Sequence, residues 1–242
     1  MRKAKEANVE TLAIVNVKTS TIARESDKQI FIEAGPEIAV ATTKAYLLQV
    51  AILSLLSYKI TSDKKLVKEN IIEEFQKIPR MVKEVLDRRD DYLKIANEIY
   101  NRQHIFFIGR KIDYAMCLEG SLKLKEVSYI HSEAYQAGEL KHGTISLIDN
   151  DTIVISIITD DSIREKTISN VEETKARGAK IINISNLNNY SSDLEILVEK
   201  TSDFTQCLLV VPTLQLIAYE VAKMRGCDID KPKNLAKSVT VE

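Results

Sequence analysis

Short, continuously apolar runs set between stretches of helical period constrain this chain more than any other feature of its sequence. The runs are ETLAIVNVK (10–18), KQIFIEA (28–34), HIFFIGRK (104–111), DTIVISIIT (151–159), AKIINIS (179–185) and LEILVE (194–199). A strand that is apolar without alternation is buried on both faces, which is the habit of parallel sheets covered by helices. Helical periods fall between these runs. They span 38–60, 66–100 with Pro79 as a break, 113–130 with Asp113 as N-cap, 162–178 ended by Gly178, and 208–226 with Pro212 near its start. The fold class predicted is α/β.

A weak internal repeat refines this. LAIVNVKTSTIARESDKQIFI (12–32) and KIINISNLNNYSSDLEILVE (180–199) both run strand, polar loop, Ser-Asp, strand, and a long apolar helix follows each. The second copy has strands and helices ahead of it from residue 104. The first has ten residues. The chain therefore reads as two copies of one α/β unit, the first lacking its leading half, and is expected to be a fragment or one piece of a split protein.

Composition excludes some classes. With 34 basic and 35 acidic residues the net charge is −1, so no nucleic-acid partner is expected. The start, MRKAKEANVE, is polar and lacks signal-peptide character. No apolar run reaches the roughly 18 residues of a membrane span. The longest, AYLLQVAILSLLSY (45–58), carries Gln49 and is expected to be a buried helix. Three cysteines, far apart and without CxxC spacing, argue against disulfides or zinc and for a reducing cytoplasm. The seven glycines form no GxGxxG or Walker loop, so a dinucleotide or NTP enzyme is not expected.

The densest chemistry lies in EGSLKLKEVSYIHSEAYQAGELKHG (119–143). Glu119, Lys123 and Glu126 fall at i, i+4 and i+7 on one helix face. Carboxylate and lysine there suit proton transfer on a small polar substrate. On pattern alone, though, a solvated ion-pair ladder is the better reading. His131 reads as structural. His142, between Lys141 and Gly143 in a short loop, divides evenly between catalysis and structure. The tail KPKNLAKSVTVE (231–242) has no helix or strand period but few flexible residues, so it is expected to be an ordered strap. Its Lys237 amine, partly desolvated, suits a Schiff base with a sugar carbonyl. In GPEIAVATTKAYLLQ (35–49), Thr42 and Thr43 stand where loop becomes helix and read as a cap or an oxyanion contact.

Together, RESD (24–27), GPEIAVATTKAY (35–46), CLEGSLKLKEVSYIHSEAYQAGELKHG (117–143) and NLAKSVTVE (234–242) resemble the glutamine–fructose-6-phosphate aminotransferase family over essentially the whole chain. The resemblance is to the C-terminal part of the isomerase half, built from two sugar-isomerase (SIS) domains. AGELKHG and NLAKSVTVE are specific to that family; SIS proteins in general share only the fold. The resemblance implies SIS-type doubly wound parallel sheets flanked by helices. It places the C-terminal half of a first SIS domain at 1–68, a helical connector at 69–100, a complete second SIS domain at 101–230 and an active-site tail at 231–242.

The roles it implies are these. Glu126 carries the proton between C1 and C2, Lys123 stands beside it and Glu119 supports it. His142, supplied by the neighbouring subunit, opens the sugar ring. Lys237 forms an imine with the open-chain ketose. Val40 and Thr42 line the sugar site, Thr42 standing where many members have Ser, and Ala236 belongs to the closing tail. No metal or cofactor is implied. The implied partners are fructose 6-phosphate and glucosamine 6-phosphate, and a homodimer. A glutaminase domain and the Ser/Thr-rich phosphate loop of the first SIS domain are absent from this sequence, so the isolated chain is expected to bind sugar phosphate poorly and to make negligible product. Two alternatives stay open: an SIS isomerase or deaminase for another sugar phosphate, and a sugar-phosphate-binding regulatory module.

Overall fold

The computed structural model describes residues 1–63, 71–188, 190 and 192–237. In chain order the elements are α1 (Arg2–Glu6), β1 (Leu12–Val15), α2 (Thr21–Glu25), β2 (Lys28–Phe31), α3 (Lys44–Asp63), α4 (Ile71–Asp87), α5 (Arg89–Ile99), β3 (His104–Gly109), α6 (Ile112–Ser128), β4 (His131–Gln136), β5 (Ile153–Ile158), α7 (Arg164–Lys175), β6 (Lys180–Ser185), β7 (Leu194–Leu197) and α8 (Cys207–Met224). Short 3-10 turns fall at Leu140–His142, Thr144–Leu147 and Asp161–Ile163.

The α/β expectation is borne out. A five-stranded sheet has the order β4-β3-β5-β6-β7, every pair parallel. Alternate side chains of its strands feed two cores. Ile105, Phe107, Ile153, Ile155, Ile182 and Ile184 pack with α6 and α8 on one face. Phe106, Ile108, Val154, Ile158 and Ile181 pack with Val171 of α7 on the other. Burying both sets is what makes β3, β5 and β6 read as unbroken apolar runs.

The internal repeat also has a structural counterpart. β1 and β2 form a separate parallel pair, Leu12 opposite Lys28, as β6 and β7 do with Ile182 opposite Leu194. A long helix follows each pair, and those two helices, α3 and α8, pack on one another.

Several local expectations are corrected. Pro79 does not break its helix: α4 runs through it, and the chain turns at Arg88 instead. Ile78, Met81 and Val85 of α4 are buried in the core that holds α8, and this packing offsets the one backbone bond proline removes. The apolar helix begins at Lys44, not residue 38, leaving 36–43 as irregular loop. It is also not buried: Leu48, Leu53 and Ile60 are exposed. Contrary to the expectation about apolar runs, Lys44–Ser62 and Cys207–Met224 are long and apolar enough to cross a membrane by length and composition; the second is mostly interior.

β4 was not foreseen, because HSEAYQ is an edge strand with mixed burial. Asp113 is not the N-cap of α6; Lys111 is, and Asp113 is buried in the first turn. The boundary expected at residues 68 and 69 lies outside the described residues, as do the tail residues 238–242.

Candidate functional site

Helix α6 carries Glu119, Lys123 and Glu126, and its start and end are both unusual. At its start, a Cβ on Gly109 would lie 2.7 Å from the Asp113 carbonyl carbon, so only glycine lets β3 run this close beneath the helix. The Asp113 carboxylate accepts from the Thr159 N–H at 2.9 Å and from the Thr159 hydroxyl, fastening the helix start to the end of β5. Burial pushes its pKa up to about 6 despite those donors. At its end, Tyr129 closes α6 in the left-handed region (φ 60°, ψ 20°). Between the two, reciprocal hydrogen bonds of Ser121 and Ser132, 2.9 and 2.8 Å, join α6 to β4.

The ion-pair ladder is buried, not solvated. Glu119 is 5% and Lys123 4% exposed, while Glu126 is half-buried. The Lys123 ammonium bonds to Glu126 Oε2 and lies 3.9 Å from Glu119 Oε1. Glu119 also accepts from Gln215 Nε2 of α8 at 3.3 Å. Its carboxyl is pushed above the usual range by burial, with Lys123 and then Gln215 acting against that. Tyr46 of α3 lies near enough for Glu119 to help raise the phenol, after burial. One ammonium between two carboxylates, all on one rigid helix, presents Glu126 as the outermost group. Lys125 is exposed and makes no hydrogen bond or ion pair to Glu126.

The tail is a strap, as expected, through its last described residue. Asp230 accepts from the Val40 N–H at 2.9 Å. The Lys237 ammonium lies 3.0 Å from Glu37 Oε2, 3.1 Å from the Ala39 carbonyl and 3.5 Å from that of Val40. Lys237 is thus brought to the loop that holds Val40 and Thr42, both half-buried, with Ala236 exposed beside it. Closer to α6, the Lys233 N–H donates to the Tyr129 hydroxyl at 2.7 Å.

His142 is not joined to this group by any hydrogen bond or ion pair. It is exposed in its 3-10 turn, with Nε2 4.0 Å from Glu139. His131 meets His104 edge-to-face at the paired start of β4 and β3, ring centroids 5.3 Å apart. These two rings line a cavity of about 660 Å³ at the starts of β3 and β4; it contains none of Glu119, Lys123, Glu126 or Lys237. Sequence reasoning missed Glu37, Tyr129 and Gln215. For the first two a signal existed, since each lies inside a string already singled out. For Gln215, one polar residue in an apolar helix, there was little.

The SIS domain family matches residues 1–58 and 98–224. A glutamine–fructose-6-phosphate aminotransferase (isomerizing) of Caldanaerobacter subterraneus is 46% identical over an alignment of 253 positions that covers 100% of this chain. The chain spans only 41% of that relative's length. Among solved structures, the C-terminal domain of glucosamine-fructose-6-phosphate aminotransferase from Francisella tularensis superposes with a TM-score of 0.89 at 34% identity. That match covers 95% of this chain and 67% of the other. A glucosamine-6-phosphate deaminase from Thermotoga maritima gives 0.77 at 25% identity, covering 97% and 68%. With its parallel sheet, two-sided helical cover and this likeness across its length, the chain belongs to the SIS domain family and is similar to the C-terminal, isomerase portion of the glutamine–fructose-6-phosphate aminotransferases.

Proposed function

We propose that this chain is the isomerase portion of an enzyme that forms glucosamine 6-phosphate from fructose 6-phosphate and glutamine-derived ammonia. The observation that carries the reading is the buried Lys123 held between Glu119 and Glu126, on a helix whose end is strapped by the tail bearing Lys237. Lys237, once deprotonated, adds to the ketose carbonyl and loses water to give an imine, which acidifies the neighbouring C–H. Ammonia then attacks C2 and expels the Lys237 amine, leaving an imine that carries the product's nitrogen; Glu126 takes a proton from C1 of that imine and returns one to C2, and C1 becomes the aldehyde. Lys123, bonded to Glu126, offers positive charge to the oxygen that gains electron density.

Val40 and Thr42 line the sugar, Glu119 and Ala236 complete its surroundings, and His142 acts in ring opening from a second subunit of a homodimer. Its exposure here suits a residue that serves a neighbour. Cytoplasmic residence and the division into a half SIS domain, a connector, a whole SIS domain and a tail belong to the same proposal.

The test uses the full gene product. Borohydride should trap fructose 6-phosphate on Lys237, and Lys237→Met should abolish the trapping. Glu126→Gln should still trap while losing hydrogen exchange at sugar C1 by at least about 100-fold. Full synthesis by Lys237→Met would refute the imine on Lys237, and a full gene product that makes no glucosamine 6-phosphate would sink this reading in favour of an SIS isomerase or deaminase.

A further inference from the structure

The cap of α6 does more than end a helix. Tyr129 holds positive φ, an uncommon conformation for an aromatic residue, and its backbone N–H still closes onto Lys125. In that position its ring and hydroxyl both meet the tail. The hydroxyl accepts from the Lys233 N–H at 2.7 Å, and the Lys233 ammonium lies 4.5 Å from the ring centroid. One tail residue is therefore gripped twice, by a hydrogen bond and by a cation–π contact.

The neighbouring tail segment is stiffened. Asp228 accepts from the N–H groups of Asp230 and Lys231, at 3.1 and 2.9 Å, and Pro232 is buried. Cys227 Sγ lies 3.9 Å from the Ser128 carbonyl, one residue before Tyr129. From Lys233 only four residues lead to Lys237, a reach of at most about 14 Å. The grip at Tyr129 therefore limits where the Lys237 ammonium can go. Glu126 sits three residues before Tyr129 on the same helix.

We propose that Tyr129 is a latch, a positioning residue that fastens the tail to the end of the helix carrying Glu126 and so sets Lys237 against loop 37–40. The role in positioning rests on the function proposed above; the fastening itself does not. Neither side chain takes part in the chemistry. The latch ties a segment without helix or strand structure into the site.

Hydrogen exchange of the chain tests the fastening, with Tyr129→Phe and Lys233→Met as variants. Tyr129→Phe keeps the ring and loses the acceptor; Lys233→Met alters an exposed side chain and leaves the backbone bond. The expected result is faster exchange over 230–237, about two- to tenfold in Tyr129→Phe, with the amides of α6 unchanged. Unchanged tail exchange in both variants overturns the latch, and so does equal acceleration throughout α6, which would mark Tyr129 as a helix cap alone.

The positioning role is read in the full gene product. Borohydride trapping on Lys237 should slow in Tyr129→Phe by the same factor as tail exchange rises, with KM for fructose 6-phosphate and the pH dependence of C1 exchange unchanged. A rise in KM without slower trapping overturns positioning. If the unsubstituted enzyme traps nothing on Lys237, the proposed function falls and positioning with it, while the exchange data still decide the fastening.

Discussion

Replacing Lys123 by methionine keeps the length of its stem and removes its charge. Glu119 would then be a carboxylate 5% exposed with only the neutral Gln215 amide, 3.3 Å away, as donor. Breaking a buried pair from one side costs roughly 3–5 kcal/mol, a large share of the roughly 5–15 kcal/mol that holds a domain folded. The cost should depend on pH. Burial already raises the folded pKa of Glu119 above its ordinary 4.5, and Lys123 is the largest influence opposing that. A group raised in the folded state contributes stability that is full below the unfolded pKa and is lost as pH rises through the folded pKa. Without Lys123 that folded pKa climbs further, so the variant should lose most at pH 7.5 and recover part of the loss at pH 5.

Adding Glu119→Gln to Lys123→Met removes the stranded charge. It should restore about 2 kcal/mol or more, a coupling that independent sites do not show. The groups facing Glu119 are Lys123 and Glu126 from its own helix, Tyr46 from α3 and Gln215 from α8. None of the others supplies a replacement cation. Urea unfolding followed by circular dichroism at the two pH values measures all of this. A loss under about 1 kcal/mol, equal at both pH values, would mean the ladder is solvated after all and would refute the reasoning.

Asp113 should leave its own mark on stability. Its carboxyl is held at about 6 against an ordinary 3.8, so its contribution is complete below pH 3.8 and vanishes by about pH 6, a change of roughly 3 kcal/mol. Comparing urea midpoints of Asp113→Asn with the parent from pH 4 to 7 should show that slope missing from the variant. Gly109→Ala forces a Cβ to within 2.9 Å of the Tyr114 nitrogen and 2.7 Å of the Asp113 carbonyl carbon, so α6 must shift; stability should fall by about 1–3 kcal/mol, measured as a lower melting temperature.

Four strands of the main sheet were legible: β3, β5 and β6 because both their faces are buried, with every residue of β5 and nearly all of β3 and β6 in the core, and β7 as the short apolar run LEILVE. The edge strand β4 was not, since exposure and burial mix along HSEAYQ and no single period survives. The ladder shows a different limit. Spacing put Glu119, Lys123 and Glu126 on one face but could not say which way that face turns. In the fold Leu118 and Leu122 are exposed beside the buried Glu119 and Lys123, the reverse of an ordinary amphipathic helix. Proline at 79 misled because a helix's tolerance for it depends on what the helix packs against. Contacts such as Lys237 with Glu37 join residues from opposite ends of the sequence, and no local pattern encodes them.

The packing of α8 against α6 sets an order of events during synthesis. Helix α6 pairs with β3 and β4 from nearby sequence, but the surface that carries Gln215 and Leu214 to it lies in α8, near the end of the chain. At about 5–20 residues per second, roughly 5–20 s separate the emergence of Glu126 from that of α8. Through that interval Lys123 and its two carboxylates lack the cover of α8, so they lose water only after α8 has been made. A ribosome paused before residue 207 would thus hold a nascent chain whose acidic pair is still solvated and whose Phe107 face is uncovered, a ready target for chaperones.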